Sequence, residues 1–136
     1  MNKVEQTLSI IKPDAVERNL TEKIKDIFIQ NNLKIKDSKK IQISKEEAAE
    51  FYKVHQAKPF YNDLCSYLSS GPIIAMILEG KDAVTSNRKI MGATDPKKAE
   101  DNTIRKLFGI SIDKNSVHGS DSLENAKKEI DFFFKN

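Results

Sequence analysis

An imidazole among small polar residues, a carboxylate eleven positions on, and three arginines in a lysine-rich chain are the groups best placed to do chemistry in this sequence. His118 lies in Asn115-Ser116-Val117-His118-Gly119-Ser120-Asp121-Ser122. There a short strand gives way to a glycine and then to a polar helix start. Gly119 predicts a sharp turn that leaves one side of the ring uncovered. The helix N-terminus behind it supplies unpaired N–H groups and a positive dipole end, which suit an incoming anion. A neutral imidazole nitrogen is a competent nucleophile near neutral pH, and its phosphorylated form can pass the group on. The second histidine, His55, has no such setting and reads as a surface or structural residue.

Glu129 is the candidate partner. At about 100° per residue, the apolar arc of the last helix runs from Phe133 through Ala126 and Ile130 to Phe134, and Glu129 falls roughly 40° outside its Phe133 edge. A carboxylate there serves either a surface ion pair or, turned inward, one imidazole nitrogen, fixing the tautomer so that the other nitrogen is bare. The arginines are Arg18, Arg88 and Arg105, against 20 lysines among the 23 basic residues. Their planar forks suit bidentate oxyanions where lysine does not.

The elements that must position these groups fit one domain, 1–136. Apolar residues make up 38% and charged residues 32%, and the longest apolar run, Ile73 to Leu78, is too short to span a membrane. Residues 1–15 show no secretory pattern. Cys65 stands alone, which excludes an internal disulfide and points to a reducing, cytoplasmic location. A net charge of +3 is too mild and scattered to argue for nucleic acid, and the candidate strands carry no aromatics for base stacking.

Thr7 to Ile11 reads as a strand stopped by Lys12-Pro13-Asp14. Asn19 with Glu22 predicts a cap for a helix whose buried stripe is Leu20, Ile24, Ile27 and Phe28. Apolar residues at 33, 35, 41 and 43 give a strand that Asp37 and Lys39 must bend or expose. Ser44 and Glu47 form a capping box before Ala48, Phe51 and Tyr52. Tyr61, Leu64, Cys65 and Leu68 mark another helix, ended by Ser69-Ser70-Gly71-Pro72. Ile73 to Leu78 reads as a central strand, and Asp82 as the cap of a helix reaching Met91-Gly92. Residues 93–116 have no clear period and predict a long functional loop. Asp121 or Ser122 caps the last helix, with Leu123, Ala126, Ile130, Phe133 and Phe134 as its buried stripe. The order predicts an α+β fold in which helices cover a small, mainly antiparallel, four-stranded sheet, the fourth strand lying near Val117-His118.

The stretch around His118 closely resembles the active-site signature of the nucleoside diphosphate kinases. Ile11-Lys12-Pro13-Asp14-Ala15-Val16, Lys58-Pro59-Phe60, Ser70-Gly71-Pro72 and Arg88 followed by Gly92-Ala93-Thr94-Asp95-Pro96 match that family in the same order, so the resemblance covers essentially the whole chain. It implies a ferredoxin-like α/β sandwich. It also implies ping-pong transfer of the terminal phosphate of a nucleoside triphosphate, typically ATP, to a nucleoside diphosphate through a phosphohistidine. Carried onto this chain, His118 is the nucleophile and Glu129 its orienting carboxylate, with Ser120 supporting Glu129. Lys12, Arg88 and Arg105 face the phosphates, with Thr94 as a neutral donor. Tyr52 lies beside His118 and Lys12, and Asn115 with Lys12 addresses the sugar. Phe60 and Ile112 sandwich the base, with Leu64 alongside.

Phosphoryl transfer is mostly positioning and charge neutralisation, so cations and neutral donors in those places make physical sense. Magnesium is expected with the nucleotide, held by phosphate oxygens and water, since no cluster of Asp, Glu or His has ligand spacing. The resemblance implies a homo-oligomer, a tetramer or hexamer built from dimers. Two departures fall in the long loop. Asp101-Asn102 stands where Pro-Gly or Ala-Gly is common, and Lys106-Leu107 replaces a small residue followed by Asp. Asn tolerates positive φ, which lets the turn survive. A nucleotide-binding regulatory module on the same fold is the alternative, and an intact nucleophile argues against it.

Overall fold

The computed structural model describes residues 4–53, 56–59, 61–111 and 114–134. The chain runs β1 (Val4–Ile11), α1 (Pro13–Glu17), α2 (Thr21–Gln30), β2 (Lys34–Ile41), α3 (Lys45–Phe51), α4 (Tyr61–Leu68), β3 (Ile73–Lys81), α5 (Ala83–Met91), α6 (Ile104–Phe108), β4 (Val117–Gly119) and α7 (Leu123–Phe134), with a 3-10 turn at Pro96–Lys98. The strands form one antiparallel sheet in the order β2-β3-β1-β4. This is the ferredoxin-like arrangement.

Alternation along the two inner strands explains why both faces are covered. Leu8 and Ile10 of β1, with Ile73 and Ala75 of β3, point to a core shared with Ala48, Tyr52, Cys65, Leu68 and Phe133. Ile11, Met76 and Leu78 point the other way, to a core shared with Ile24, Phe28, Met91 and Ile104. Strands buried on both faces lose the polar alternation of a half-exposed sheet, so Ile73 to Leu78 is continuously apolar. Every one of those six except Ile77 is buried. Among the described residues no helix is long and apolar enough to cross a membrane.

The bend expected in β2 is a bulge. Ile35 pairs with Leu78 and Asp37 with Ile77, so Lys36 is the extra residue and its ammonium reaches Glu79 at 3.3 Å. The Ser44–Glu47 capping box forms as read, with Glu47 N to Ser44 Oγ at 3.1 Å and Ser44 N to Glu47 Oε1 at 3.0 Å.

Four expectations are corrected. Asn19 does not cap α2; it takes φ of 61° in the turn before Leu20, and no side chain caps the helix. Asp82 stands at the N-cap of α5 without a side-chain bond, because its own backbone is left-handed. Leu123 is 44% exposed, at the first turn of α7, where it lines an open cleft with Val4, Glu5 and Gln6 of β1 instead of closing into the core. The 93–116 stretch holds two short elements, the turn at Pro96 and α6, whose caps are Asp95 and Thr103. Each is too short to display a helical period.

Candidate active site

His118 reaches the site because β4 is a three-residue edge strand pairing Ile10 with His118 and Ile11 with Val117. That register buries Val117 and Gly119 on the α5 side and turns the imidazole toward α3 and α7. Its Nε2 meets Glu129 Oε1 at 2.9 Å, and each side chain is 20% exposed. A carboxylate only accepts, so Nε2 carries the proton and Nδ1 is the nitrogen with a free lone pair. The Ser120 hydroxyl donates to the same Oε1 at 2.9 Å, fixing the carboxylate from a second direction. Of the two roles open to Glu129, the inward one is formed.

Aromatic edges pack the ring. Phe51 stands 5.2 Å from the imidazole centroid and Tyr52 6.3 Å, both edge-on. Phe51 was legible in the sequence only as part of the α3 apolar face; nothing in its spacing marked it as a neighbour of His118. Burial, and then the charge of Glu129, push the Tyr52 phenol well above its ordinary range. It therefore remains a neutral hydroxyl beside the ring.

Gly119 does not make the expected turn. It lies within the strand, and a Cβ there would come within 2.3 Å of Asn87 Nδ2 and 2.7 Å of Met91 Cε. The glycine lets α5 lie close against β4, and so brings Arg88, the next residue of that helix, near the site.

A second group of residues lies beyond the strand end. Lys12 Nζ donates to Asn115 Oδ1 at 3.0 Å, and Asn115 Nδ2 donates to the Thr94 carbonyl at 3.1 Å. Arg105 is held by two carbonyls, Gly92 O at 3.0 Å and Val117 O at 2.9 Å, and its Nε has no hydrogen-bond partner among the described residues. Gly92, at φ of 87°, ends α5; any Cβ there would strike Thr103 at 2.5 Å. Burial first, and then the neighbouring charge of Arg88, bring the Arg105 guanidinium down to about 10. It stays charged at neutral pH, yet it gains from any anion placed between the two.

Arg88, Thr94 and Arg105 line one cleft of about 680 Å³ together with Lys89, Lys98 and Gly92. His118 and Lys12 are not among its described lining residues; they connect to it through Val117 and Asn115. Leu64 of α4 packs half-buried against the α3 and α7 core. Phe60 and Ile112, read as the base clamp, and His55 lie outside the described residues. Among the described residues no three His, Cys, Asp or Glu side chains stand together as metal ligands. A cleft walled by arginine and lysine suits an oxyanion, and a divalent cation only when it arrives already on phosphate.

The arrangement offers a histidine with one nitrogen tied and one bare, linked through Val117 and Asn115 to a cleft lined by cations: the parts for moving a phosphoryl group. Comparison with known proteins agrees. The sequence model of the nucleoside diphosphate kinase family matches residues 5–136. A nucleoside diphosphate kinase of Nitratiruptor sp. is 60% identical over 131 residues, covering 96% of each chain, and one of Wolinella succinogenes is 59% identical over the same length and coverage. Among solved structures, the Aquifex aeolicus nucleoside diphosphate kinase superposes with a TM-score of 0.96 at 45% identity, covering 98% of this chain and 97% of that one. The enzyme of Encephalitozoon cuniculi gives 0.94 at 38% identity, covering 97% and 90%.

Proposed function

This chain belongs to the nucleoside diphosphate kinase family, and we propose that it carries the family's reaction on Nδ1 of His118. It transfers the terminal phosphate of a nucleoside triphosphate to a nucleoside diphosphate. The observation supporting the residue assignment is the 2.9 Å contact of His118 Nε2 with Glu129 Oε1.

In the first half-reaction the Nδ1 lone pair attacks the terminal phosphorus. The bond from that phosphorus to the bridging oxygen breaks, and the diphosphate leaves with the electron pair. Charge developing on the ring is met by Glu129, which keeps the Nε2 proton without taking it over, while Ser120 holds the carboxylate in place. In the second half-reaction a terminal oxygen of the acceptor diphosphate attacks the same phosphorus and the N–P bond breaks. No proton need enter or leave, which suits the neutral Tyr52 hydroxyl as a packing and donor group near the ring.

Lys12, Arg88 and Arg105 neutralise the transferring and leaving oxygens, and Thr94 donates without charge. Asn115, bonded to Lys12, faces the sugar. Phe60, Ile112 and Leu64 take the base by stacking without edge hydrogen bonds, giving little base preference. The family uses a divalent cation with its nucleotides; we assign magnesium, which shields the phosphate charges when bound, to the phosphates and water. The same reading makes 1–136 one catalytic domain, working in the cytoplasm as a tetramer or hexamer of dimers.

Labelled ATP tests the assignment. The expected product is an acid-labile, base-stable phosphoprotein that yields labelled triphosphate when a second diphosphate is added. A His118→Ala variant that still takes up label would overturn the choice of residue.

A further inference from the structure

Asp14 has no part in the chemistry above, yet its carboxylate is 4% exposed and sits where three elements meet. Its Oδ1 accepts from the Tyr67 hydroxyl of α4. Its Oδ2 accepts from Ser116 Oγ at 2.9 Å and from the Arg18 guanidinium at 3.0 Å. The Arg18 nitrogen goes on to Phe108 O at 2.6 Å, at the end of α6.

Ser116 occupies an unusual conformation. It is not glycine, yet its φ is 75°, and Val117 N bonds back to Asn115 O at 2.9 Å across it. A bond from one residue to the second after it, around a central positive φ, is the rare and strained form of the γ-turn. Such a conformation persists only where surrounding contacts over-determine it. Here one short segment supplies three of them: Lys12 N donates to Ser116 O at 2.8 Å, Lys12 Nζ donates to Asn115 Oδ1, and Asp14 takes the Ser116 hydroxyl, to which Arg18 also donates at 3.3 Å. Thr94 O and Arg105 hold the flanking Asn115 and Val117. The turn reverses the chain between Asn115, which meets Lys12, and Val117-His118, which enters β4. The β1–β4 ladder sets His118 opposite Ile10, and the turn sets the remaining step, from that ladder to the Asn115 that holds the Lys12 cation.

We propose that Asp14 and Ser116 are positioning residues for phosphoryl transfer, the buried carboxylate clamping the Ser116 hydroxyl so that a strained γ-turn holds His118 in register with Lys12. The proposal rests on His118 as the nucleophile.

Rapid-quench phosphorylation at saturating ATP, together with ADP affinity and melting temperature, tests it. Ser116→Ala keeps a residue that dislikes positive φ and removes the clamp. It should slow phosphohistidine formation roughly tenfold to a hundredfold, since small misplacements of reacting groups have effects of that size, with ADP affinity little changed. Ser116→Gly adopts positive φ without help and should recover most of the rate. Asp14→Asn should slow the native sequence in the manner of Ser116→Ala, yet have little further effect on rate in the Ser116→Gly background. That non-additivity is readable even where Ser116→Ala does not fold.

Wild-type rates in folded Ser116→Ala, a Ser116→Gly variant as slow as the alanine one, or additive losses in the double variant would each overturn the clamp. A merely structural role would lower all the melting temperatures without the glycine rescue of rate. Label persisting in His118→Ala would instead remove the nucleophile assignment, whatever Ser116 does.

Discussion

His118 Nε2 and Glu129 Oε1 stand 2.9 Å apart although they belong to different elements, β4 and α7, and neither is fully buried. The pairing fixes which nitrogen is bare, and it places a negative charge where the phosphorylated ring needs one. Glu129→Gln retains the shape and removes that charge. Phosphohistidine formation should slow by about a hundredfold, with circular dichroism showing an unchanged fold. A variant as fast as wild type would mean that the carboxylate does not orient the ring. Ser120→Ala, which removes only one of the two contacts to Oε1, should have a smaller effect on the same rate.

Arg88 and Arg105 line one cleft but are held differently. Arg88 is exposed, and Arg105 has its terminal nitrogens on Gly92 O and Val117 O. Lysine cannot bridge both carbonyls. Arg105→Lys should therefore lower stability by about 1–3 kcal/mol as well as raising KM for the triphosphate. Arg88→Ala should raise KM while leaving stability within about 0.5 kcal/mol. Chemical denaturation beside steady-state kinetics separates the two, and equal effects of both variants on stability would contradict the geometry.

Much of this was legible in the residues. The capping box at Ser44 and Glu47, the broken alternation of β2 and the doubly covered β3 each follow from local rules, because the responsible residues lie within a few positions of one another. The inward turn of Glu129 was only one of two options, since helical phase places a residue on a flank but does not say what it meets. Phe51 beside His118, and the Asp14–Ser116 bond across 102 positions, depend on which elements the sheet order brings together. Gly119 reads as a turn residue in the sequence because glycine marks both turns and close approaches, and only the position of Asn87 decides between them.

Alkaline stability should report the buried Tyr52 phenol and the half-buried, hydrogen-bonded Tyr67. Burial raises Tyr52 above its usual range, with Glu129 adding to it, and burial followed by the hydrogen bond to Asp14 raises Tyr67. A native pKa raised above the unfolded value of about 10 gives stability that is complete below that pH. The contribution is lost as pH rises from there through the native value, because only the unfolded phenol ionises. Absorbance at 295 nm should therefore rise by no more than one of the three tyrosines before far-UV circular dichroism is lost. Two or more phenols titrating in the folded protein would show these hydroxyls to be accessible.

The loop that carries Arg105 depends on a residue standing in for glycine. Asn102 takes φ of 69°, directly before the Thr103 whose hydroxyl caps α6. Asn accepts this region because its short amide can hydrogen-bond locally, whereas a plain Cβ is disfavoured there. Asn102→Gly should be neutral or nearly so. Asn102→Ala should lower stability by about 1 kcal/mol and loosen α6, raising KM through Arg105. Equal melting temperatures for the two variants would show that the turn does not need positive φ.

Close contact between α5 and β4 is the last feature open to a direct test. Gly119→Ala would push a methyl to within 2.3 Å of Asn87 Nδ2 and 2.7 Å of Met91 Cε, side-chain ends on a buried helix face that must repack or carry α5 with them. Overpacking of this kind costs about 1–3 kcal/mol, and since Arg88 rides on the same helix, KM should rise with it. Asn87 offers a way to separate the contact from the glycine itself, because both its amide atoms are buried with no hydrogen-bond partner among the described residues. Asn87→Ala alone should therefore cost little, and it should return part of the stability lost in Gly119→Ala by vacating the space the new methyl needs. Denaturant midpoints for the two single variants and the double variant measure that coupling. Strictly additive losses would mean that Gly119 is required for something other than room for Asn87.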